Sequence, residues 1–198
     1  MIYIKMERKK LTYEIEKKAR VKNPHRISHI LSQLFKYIGT SIKIDRYYLL
    51  KFKSTRRINF KTDPIIRLRI EKGKSFLTTK KRTFKGKTEI NREIEIPLGS
   101  PTRAIEFFEN ALGLKPFVIK KKKTKLFKRG NIKAELNFVE GLGWFLEIEI
   151  LKKNLSKSDE KQTLSKISSV FKTLGIKEQD FEPRYYIELL LKKHKNLP

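Results

Sequence analysis

A β-hairpin is predicted by residues 136–149, whose sequence is LNFVEGLGWFLEIE. Apolar side chains dominate both ends of this stretch, and Gly141 and Gly143 between them are typical of a turn. The second strand ends in Glu147-Ile148-Glu149, in which two carboxylates flank a β-branched residue. Because successive side chains of a strand point to opposite faces, both glutamates share one face and the isoleucine takes the other.

The same Glu-Ile-Glu tripeptide occurs twice more, at Glu14–Glu16 and at Glu93–Glu95. Basic residues follow the same period of two, as in Arg67-Leu68-Arg69 and at Lys121 and Lys123. Half-buried strands usually alternate apolar and polar side chains. The pattern alone is therefore also compatible with ordinary strands whose charged faces meet solvent.

Eight strands and three helices are predicted along the chain. The predicted strands are Leu11–Val21, Ile42–Leu50, Pro64–Ile70, Ser75–Thr83, Ile90–Pro97, Pro116–Phe127, Ile132–Val139 and Trp144–Leu151. The predicted helices are Pro24–Tyr37, Pro101–Leu112 and Asp159–Leu174, with Asn23, Ser100 and Ser158 as their N-caps. No low-complexity linker interrupts the chain, so residues 1–198 predict a single domain with its motif-bearing core at about 11–191.

The predicted fold class is α+β and mainly β: a closed eight-stranded antiparallel barrel, shaped as a tunnel, with flanking helices. Its inward faces would carry many charged side chains. The predicted inward-facing residues are Glu14, Glu16, Lys18, Arg67, Arg69, Lys80, Arg82, Glu93, Glu95, Lys121, Lys123, Glu147 and Glu149. Burying unpaired charges costs several kcal/mol per ion, so this interior must hold water, ions or a charged ligand.

The charge composition predicts an anionic partner. The chain has 48 Lys+Arg against 21 Asp+Glu, a formal net charge of +27 at pH 7. Its 38% of apolar residues can form a core, which excludes a wholly disordered basic tail. It has no cysteine, which excludes a disulfide framework, a cysteine-based zinc finger and a thiol nucleophile. The basic start and the lack of a run of roughly 18 apolar residues favour a soluble, cytoplasmic protein with no membrane association.

A series of short motifs, in order along the chain, resembles the signatures of the CYTH superfamily. The motifs are Glu14-Ile15-Glu16-Lys17-Lys18, Asp45-Arg46-Tyr47-Tyr48, Ile66-Arg67-Leu68-Arg69, Leu77-Thr78-Thr79-Lys80, Arg92-Glu93-Ile94-Glu95, the lysine run Lys120–Lys125, the hairpin at residues 136–149, and Arg184-Tyr185-Tyr186-Ile187-Glu188-Leu189-Leu190. This superfamily, also called the triphosphate tunnel metalloenzymes, includes class IV adenylyl cyclases and thiamine triphosphatases. Each motif is weak alone, but their common order makes the resemblance specific.

The resemblance implies a tunnel that binds a triphosphate-containing small molecule together with Mg²⁺ or Mn²⁺. Hard cations prefer carboxylate oxygens, and Arg and Lys side chains hold phosphates. The implied metal ligands are Glu14, Glu16, Glu147 and Glu149. The implied triphosphate-binding residues are Lys18, Arg67, Arg69, Lys80, Lys121 and Lys123, and the candidate catalytic residues are Lys18 and Glu135.

The implied reaction is one of two. In the hydrolase version, water attacks the terminal phosphorus of tripolyphosphate, thiamine triphosphate or a nucleoside triphosphate, and orthophosphate leaves. In the class IV adenylyl cyclase version, the ribose 3′-hydroxyl of ATP attacks the α-phosphorus, which yields cyclic AMP and pyrophosphate. Positioning and charge neutralisation carry most of the rate of both reactions.

Two departures from the family pattern affect the site. Asn137 stands where the family usually has Asp, so either one metal site is weakened or Glu135 on the same face compensates. The lysine run has no Arg to fix its register, so a slip of one residue would exchange Lys121 and Lys123 for Lys120 and Lys122.

The alternative is a basic protein that binds RNA or DNA without catalysis, because basic patches interleaved with aromatic residues attract a phosphate backbone. That hypothesis does not explain why carboxylates sit in period-two pairs among the basic strands. As an enzyme, the chain is expected to be a monomer or a homodimer.

Overall fold

The computed structural model describes residues 13–49, 58–60, 63, 65–85, 87–153 and 156–195, and within these ranges eight antiparallel strands close into a barrel. The strands are β1 (Tyr13–Arg20), β2 (Lys36–Leu49), β3 (Ile65–Glu71), β4 (Lys74–Lys85), β5 (Thr88–Gly99), β6 (Val118–Arg129), β7 (Ile132–Val139) and β8 (Gly143–Lys152). Around the barrel their order is β1-β5-β4-β3-β2-β6-β7-β8, and β8 pairs with β1 to close the ring. The predicted fold class is confirmed.

Four helices lie outside the barrel wall or at its end in the described ranges. They are α1 (Pro24–Leu34), α2 (Pro101–Glu106, continued by a π-helical turn at Phe107–Ala111), α3 (Lys157–Thr173) and α4 (Tyr186–Lys195). Two N-caps are as predicted: the Asn23 side chain accepts from the Arg26 N–H, and Ser100 accepts from the Arg103 N–H. No helix in these ranges is long and apolar enough to cross a bilayer.

Several predicted boundaries are wrong. Helix α1 ends at Leu34 rather than Tyr37, because Phe35 is extended and Lys36 onward pairs with β6. Helix α3 is capped by Ser156 rather than Ser158, since the Ser156 hydroxyl accepts from the Asp159 N–H. The strand ends predicted at Leu11, Leu50 and Pro64 lie outside the described residues.

Apolar side chains cover the outside of the barrel, where α1 and α3 pack. In the Glu-Ile-Glu tripeptides of β1 and β8 the isoleucine points outward, and Ile15 and Ile148 are fully buried. They pack in one cluster with Leu31 of α1 and Ile167 and Phe171 of α3. The hydrophobic core therefore lies between the barrel wall and the helices, and the charged faces of the same strands are left for the interior.

Helix α4, which the sequence pattern did not predict, closes one end of the barrel. Its Ile187 and Leu190 pack with Tyr47 and Val118, at the ends of β2 and β6. The segment that leads into it is clasped to β1: the Glu182 N–H donates to the Lys18 carbonyl at 3.0 Å. The interior is consequently a tunnel with an end wall made by the C-terminal segment.

Candidate active site

A cavity of about 340 Å³ occupies the barrel interior. Its described lining contains eight glutamates and six basic residues, together with Tyr47, Leu151, Tyr185, Tyr186 and Ile187. The glutamates are Glu14, Glu16, Glu89, Glu93, Glu95, Glu135, Glu147 and Glu149, and the basic residues are Lys18, Arg67, Arg69, Lys120, Lys122 and Lys133. The prediction of a charged interior is confirmed.

Charge is divided between two sides of this cavity. In the strand order of the ring, β8, β1 and β5 lie opposite β3, β2 and β6. The first three strands carry seven of the eight lining glutamates, and the opposite three carry Arg67, Arg69, Lys120 and Lys122. A carboxylate wall thus faces a cationic wall across the tunnel.

On the carboxylate wall, the glutamates of β1 and β8 crowd one another. Glu16 and Glu149 are directly opposite in the register, and like charges in such a pair repel. Burial and then the charge of Glu14 raise the pKa of Glu149 to about 7, although Lys133 bonds to it. The Glu14 carboxylate accepts a hydrogen bond from Asn91 Nδ2 at 3.3 Å.

This crowding is the feature that a divalent cation would relieve. Among the described residues, no three acidic or histidine side chains already converge as a ready-made metal cage. Mg²⁺, however, is usually held by one or two carboxylates, its waters and the phosphates of a substrate. By donor chemistry and by the repulsion between Glu14 and Glu149, the carboxylate wall fits a hard divalent cation.

On the cationic wall, Asp45 fixes two basic side chains. Arg69 donates to both Asp45 oxygens, at 2.7 and 2.9 Å, and Lys120 Nζ lies 2.7 Å from Asp45 Oδ2. Burial would raise the pKa of Asp45, but Arg69 and Lys120 hold it well below its ordinary value. Arg67 in turn donates to Glu93 at 2.7 Å. These guanidinium and ammonium groups are therefore oriented before any ligand binds.

Glu135 of β7 lies among three lysines. Lys43 and Lys122 each donate to it at 2.9 Å, and Lys133 Nζ lies at 3.4 Å. Burial opposes its charge, but these lysines hold the pKa of Glu135 well below its ordinary value. A carboxylate held this firmly in its charged form suits the positioning of lysines better than the transfer of a proton.

Asn137 of β7 stands in the position where an acid was expected, and its side chain is hydrogen-bonded to Thr124 of β6 and Glu147 of β8. Its Oδ1 accepts from the Thr124 hydroxyl and its Nδ2 donates to Glu147 Oε2, both at 2.7 Å. Burial disfavours the charged form of Glu147, yet Lys122, with a smaller contribution from Lys18, lowers its pKa to about 2. The amide therefore orients a carboxylate of the cavity instead of adding one.

The structure brings together most of the predicted site residues, with one error of register. Lys121 and Lys123 were predicted to face inward but point outward, and Lys121 is 58% exposed. Lys120 and Lys122 line the cavity instead, because the inward positions of β6 run from Val118 through Lys120 and Lys122 to Thr124. The side chains of the predicted inward residues Lys80 and Arg82 lie outside the described part of the chain.

The remaining predicted residues line the cavity: Glu14, Glu16, Lys18, Arg67, Arg69, Glu93, Glu95, Glu135, Glu147 and Glu149. Sequence reasoning missed Lys43, Asp45 and Lys133 as interior charges. Lys133 could have been found, since it shares the period of two with Glu135. Sequence reasoning also missed Tyr185 and Tyr186 as cavity residues, because the helix that carries Tyr186 was not predicted.

The chain belongs to the CYTH domain family, whose family model matches residues 12–186. A protein of Methanocaldococcus jannaschii named "Putative adenylate cyclase" is 29% identical over 178 residues, which are 89% of this chain and 97% of that protein. Two solved structures from Pyrococcus horikoshii OT3 share the fold. One is 34% identical with a TM-score of 0.71 and covers 89% of this chain and 98% of its own. The other is 28% identical with a TM-score of 0.76, and the match covers 91% of this chain and 99% of that structure's chain.

Proposed function

We propose that this chain is a metal-dependent enzyme that hydrolyses a triphosphate-containing small molecule inside the barrel. The observation that carries the proposal is the carboxylate wall of β8, β1 and β5 facing the cationic wall of β3, β2 and β6. A triphosphate needs fixed cations along its length, and a divalent metal needs carboxylates close to the same phosphates. Membership of the CYTH family supports the same substrate class.

The phosphates would lie along Arg67, Arg69, Lys120 and Lys122, with Lys18 at the end of the tunnel that α4 closes. Arginine forks can hold phosphate oxygens bidentately, while lysines act as point charges. Because these groups are already held by Asp45, Glu93, Glu135 and Glu147, little side-chain entropy remains to be lost when a ligand binds. The end wall limits access of water to that side of the substrate.

The metal would be held by carboxylates of β1 and β8, with Glu14, Glu16, Glu147 and Glu149 as the candidates. A divalent cation bound there neutralises phosphate charge and lowers the pKa of water. Water would attack the terminal phosphorus and lose a proton to solvent, and the bond from that phosphorus to the bridging oxygen would break. The attacked phosphorus would be released as orthophosphate, and the rest of the substrate, which is pyrophosphate in the case of tripolyphosphate, would leave with the bridging oxygen. The basic side chains stabilise the charge that develops on the leaving oxygen.

The purified protein should be incubated with tripolyphosphate and with ATP, each with Mg²⁺, Mn²⁺ or EDTA, and the products separated by anion-exchange chromatography. Hydrolysis predicts orthophosphate and pyrophosphate in equal amounts from tripolyphosphate, and no product with EDTA. Glu147→Gln should abolish activity while its far-UV circular dichroism stays that of the parent, and the matched surface control Glu140→Gln should remain active. If neither substrate yields any product with either metal, the enzyme proposal is wrong.

A second candidate is the cyclase reaction, which the name of the Methanocaldococcus jannaschii relative favours. The same incubation with ATP separates the two. Cyclic AMP with pyrophosphate indicates the cyclase, whereas ADP with orthophosphate indicates the hydrolase. The cytoplasmic location, the single domain, the oligomeric state and the nucleic-acid alternative remain predictions.

A further inference from the structure

Three ammonium groups surround the ring of one buried tyrosine. The Lys18 Nζ lies 4.4 Å from the centroid of the Tyr186 ring, the Lys120 Nζ 5.0 Å and the Lys122 Nζ 5.9 Å. Tyr186 is only 7% exposed and lines the cavity. All three distances are within the roughly 6 Å at which a cation is attracted to the face of an aromatic ring.

We infer that Tyr186 is a positioning residue, whose ring holds these three lysines where they bind the substrate phosphates. The inference rests on the proposed function, since it assigns a role within that site. A lysine is a point charge on a flexible four-carbon stem, so its position must be imposed by neighbours. The three like charges also repel one another, and their attraction to the negative face of the ring offsets part of that repulsion.

Each lysine also has a hydrogen-bond partner that limits its movement. Lys18 donates to the Arg184 carbonyl at 2.7 Å, and Lys120 donates to the Tyr47 hydroxyl at 3.1 Å. Lys122 donates to Glu135 and Glu147. The Tyr186 ring adds a contact to all three lysines, which belong to two different strands, β1 and β6.

The ring itself is fixed by the barrel wall. Tyr186 is the first residue of α4, and its ring meets Phe145 of β8 edge to face, with centroids 5.0 Å apart. Leu189, one turn further along α4, packs in the same cluster with Val139. Anion affinity in the tunnel is therefore linked to the docking of the C-terminal helix.

Two substitutions separate the ring from its hydroxyl. Tyr186→Phe keeps the ring and removes only the hydroxyl, so it should raise the Kd for tripolyphosphate with Mg²⁺ much less than the loss of the ring does. Tyr186→Leu keeps an apolar side chain but removes the ring face. It should raise KM, and the Kd for tripolyphosphate with Mg²⁺, about tenfold or more, with a smaller change in kcat.

Ile167→Val is the control for a general loss of stability, because Ile167 is fully buried between α3 and the barrel wall, in a cluster that does not contain Tyr186. It should lower the melting temperature without the rise in KM. The inference is wrong if Tyr186→Phe weakens binding as much as Tyr186→Leu, if Tyr186→Leu changes nothing, or if Ile167→Val raises KM as much as Tyr186→Leu does.

A measurement without substrate keeps this inference distinct from the proposed function. In nuclear magnetic resonance spectra, the side-chain resonances of Lys18, Lys120 and Lys122 should show ring-current shifts in the parent and in Tyr186→Phe. Those shifts should be lost in Tyr186→Leu. If the shifts behave so while the parent neither binds nor hydrolyses tripolyphosphate, the proposed function fails, and the positioning role for substrate phosphates fails with it. If tripolyphosphate is hydrolysed but the shifts are absent, only the inference fails.

Discussion

Glu135 shows why single charges matter in this barrel. It is 5% exposed and lies within hydrogen-bond or ion-pair distance of Lys43, Lys122 and Lys133. Taking one partner out of a buried ion cluster leaves charge in a place that water reaches poorly, and this usually costs more than the intact cluster ever contributed. The cost falls mainly on Lys43, because Lys122 and Lys133 keep Glu147 and Glu149 as partners.

We therefore expect Glu135→Gln to lower the free energy of unfolding by about 3 kcal/mol or more, measured by urea denaturation at neutral pH. The matched control is Glu140→Gln, since Glu140 is 69% exposed and lies 3.9 Å from the Lys121 ammonium. Its effect should stay within about 0.5 kcal/mol. Equal stability of Glu135→Gln and the parent would show that the interior is far better hydrated than its burial indicates.

Individual interior residues could be predicted where apolar and charged residues alternate. The Glu-Ile-Glu tripeptides placed Glu14, Glu16, Glu147 and Glu149 on inward faces because only the isoleucine between them can enter the hydrophobic core. Asp45 could not be predicted in the same way. Its role depends on Arg69 and Lys120 from two neighbouring strands, and a pairing across strands leaves no local signal in the sequence.

Strand β6 shows the limit of such predictions at the scale of an element. Lys120–Lys123 are four lysines in succession, so no alternation of residue type distinguishes the two faces. The register is decided instead by the flanking residues. Val118 and Thr124 are buried on the face that Lys120 and Lys122 share, whereas Phe127, on the other face, is buried in the core outside the barrel. Likewise, Lys36 and Tyr37 were predicted as the end of the preceding helix and residues 38–41 as part of neither element, because pairing of β2 with β6 is not visible in the local sequence.

The two faces of β6 can be compared by changing adjacent lysines. Lys120→Gln should weaken the binding of tripolyphosphate with Mg²⁺ about tenfold or more, because a charge-assisted contact to phosphate is lost. Lys121→Gln, one residue away on the outer face, should leave the Kd within about twofold. Isothermal titration calorimetry measures both. The reverse result, with Lys121→Gln the weaker binder, would exclude the inward register described above.

The segment that leads into α4 is clasped by one carboxylate, and this clasp should be sensitive to acid. Glu182 is 5% exposed and accepts from Arg20 at 2.9 Å and from Arg184 at 2.7 Å. Burial would raise its pKa, but the hydrogen bonds from Arg184 and Arg20 lower it to about 2, against an ordinary value of 4.5. The unfolded chain therefore takes up this proton at a higher pH than the folded chain does.

It follows that Glu182 stabilises the fold fully above about pH 4.5 and that this contribution is lost as the pH falls towards 2. The difference in unfolding free energy between the parent and Glu182→Gln should be constant above about pH 5 and should shrink below pH 4.5. Urea titrations at a series of pH values measure it. A difference independent of pH would show that the arginines do not stabilise the charged form.

At the scale of the whole molecule, the net charge and the site are separate. The described cavity lining has more glutamates than basic side chains, whereas the chain as a whole carries +27. The positive excess is therefore not explained by this lining. A field of that sign attracts polyphosphate from solution, and the carboxylate wall leaves the final binding dependent on metal.

This separation predicts a particular response to salt. Between about 0.01 M and 0.15 M ionic strength the Debye length falls from about 30 to about 8 Å, so kcat/KM for tripolyphosphate should fall several-fold at constant free Mg²⁺. The value of kcat should change little, because contacts inside the tunnel are screened much less. Steady-state kinetics at both salt concentrations measure this. A salt-independent kcat/KM would mean that the excess charge has no part in substrate capture.

The pairing of β1 with β8, which closes the barrel, also affects how the protein folds during its synthesis. β1 pairs with β5 on one side and with β8 on the other, so the pairing that closes the barrel cannot form until β8 has been synthesised. Ribosomes add roughly 5–20 residues each second, and pairings between distant strands form slowly in any case. Until β8 emerges, the nascent sheet keeps open edges that can join those of another chain. The protein is thus most vulnerable to aggregation during its synthesis, and a mature barrel has no such edge to offer.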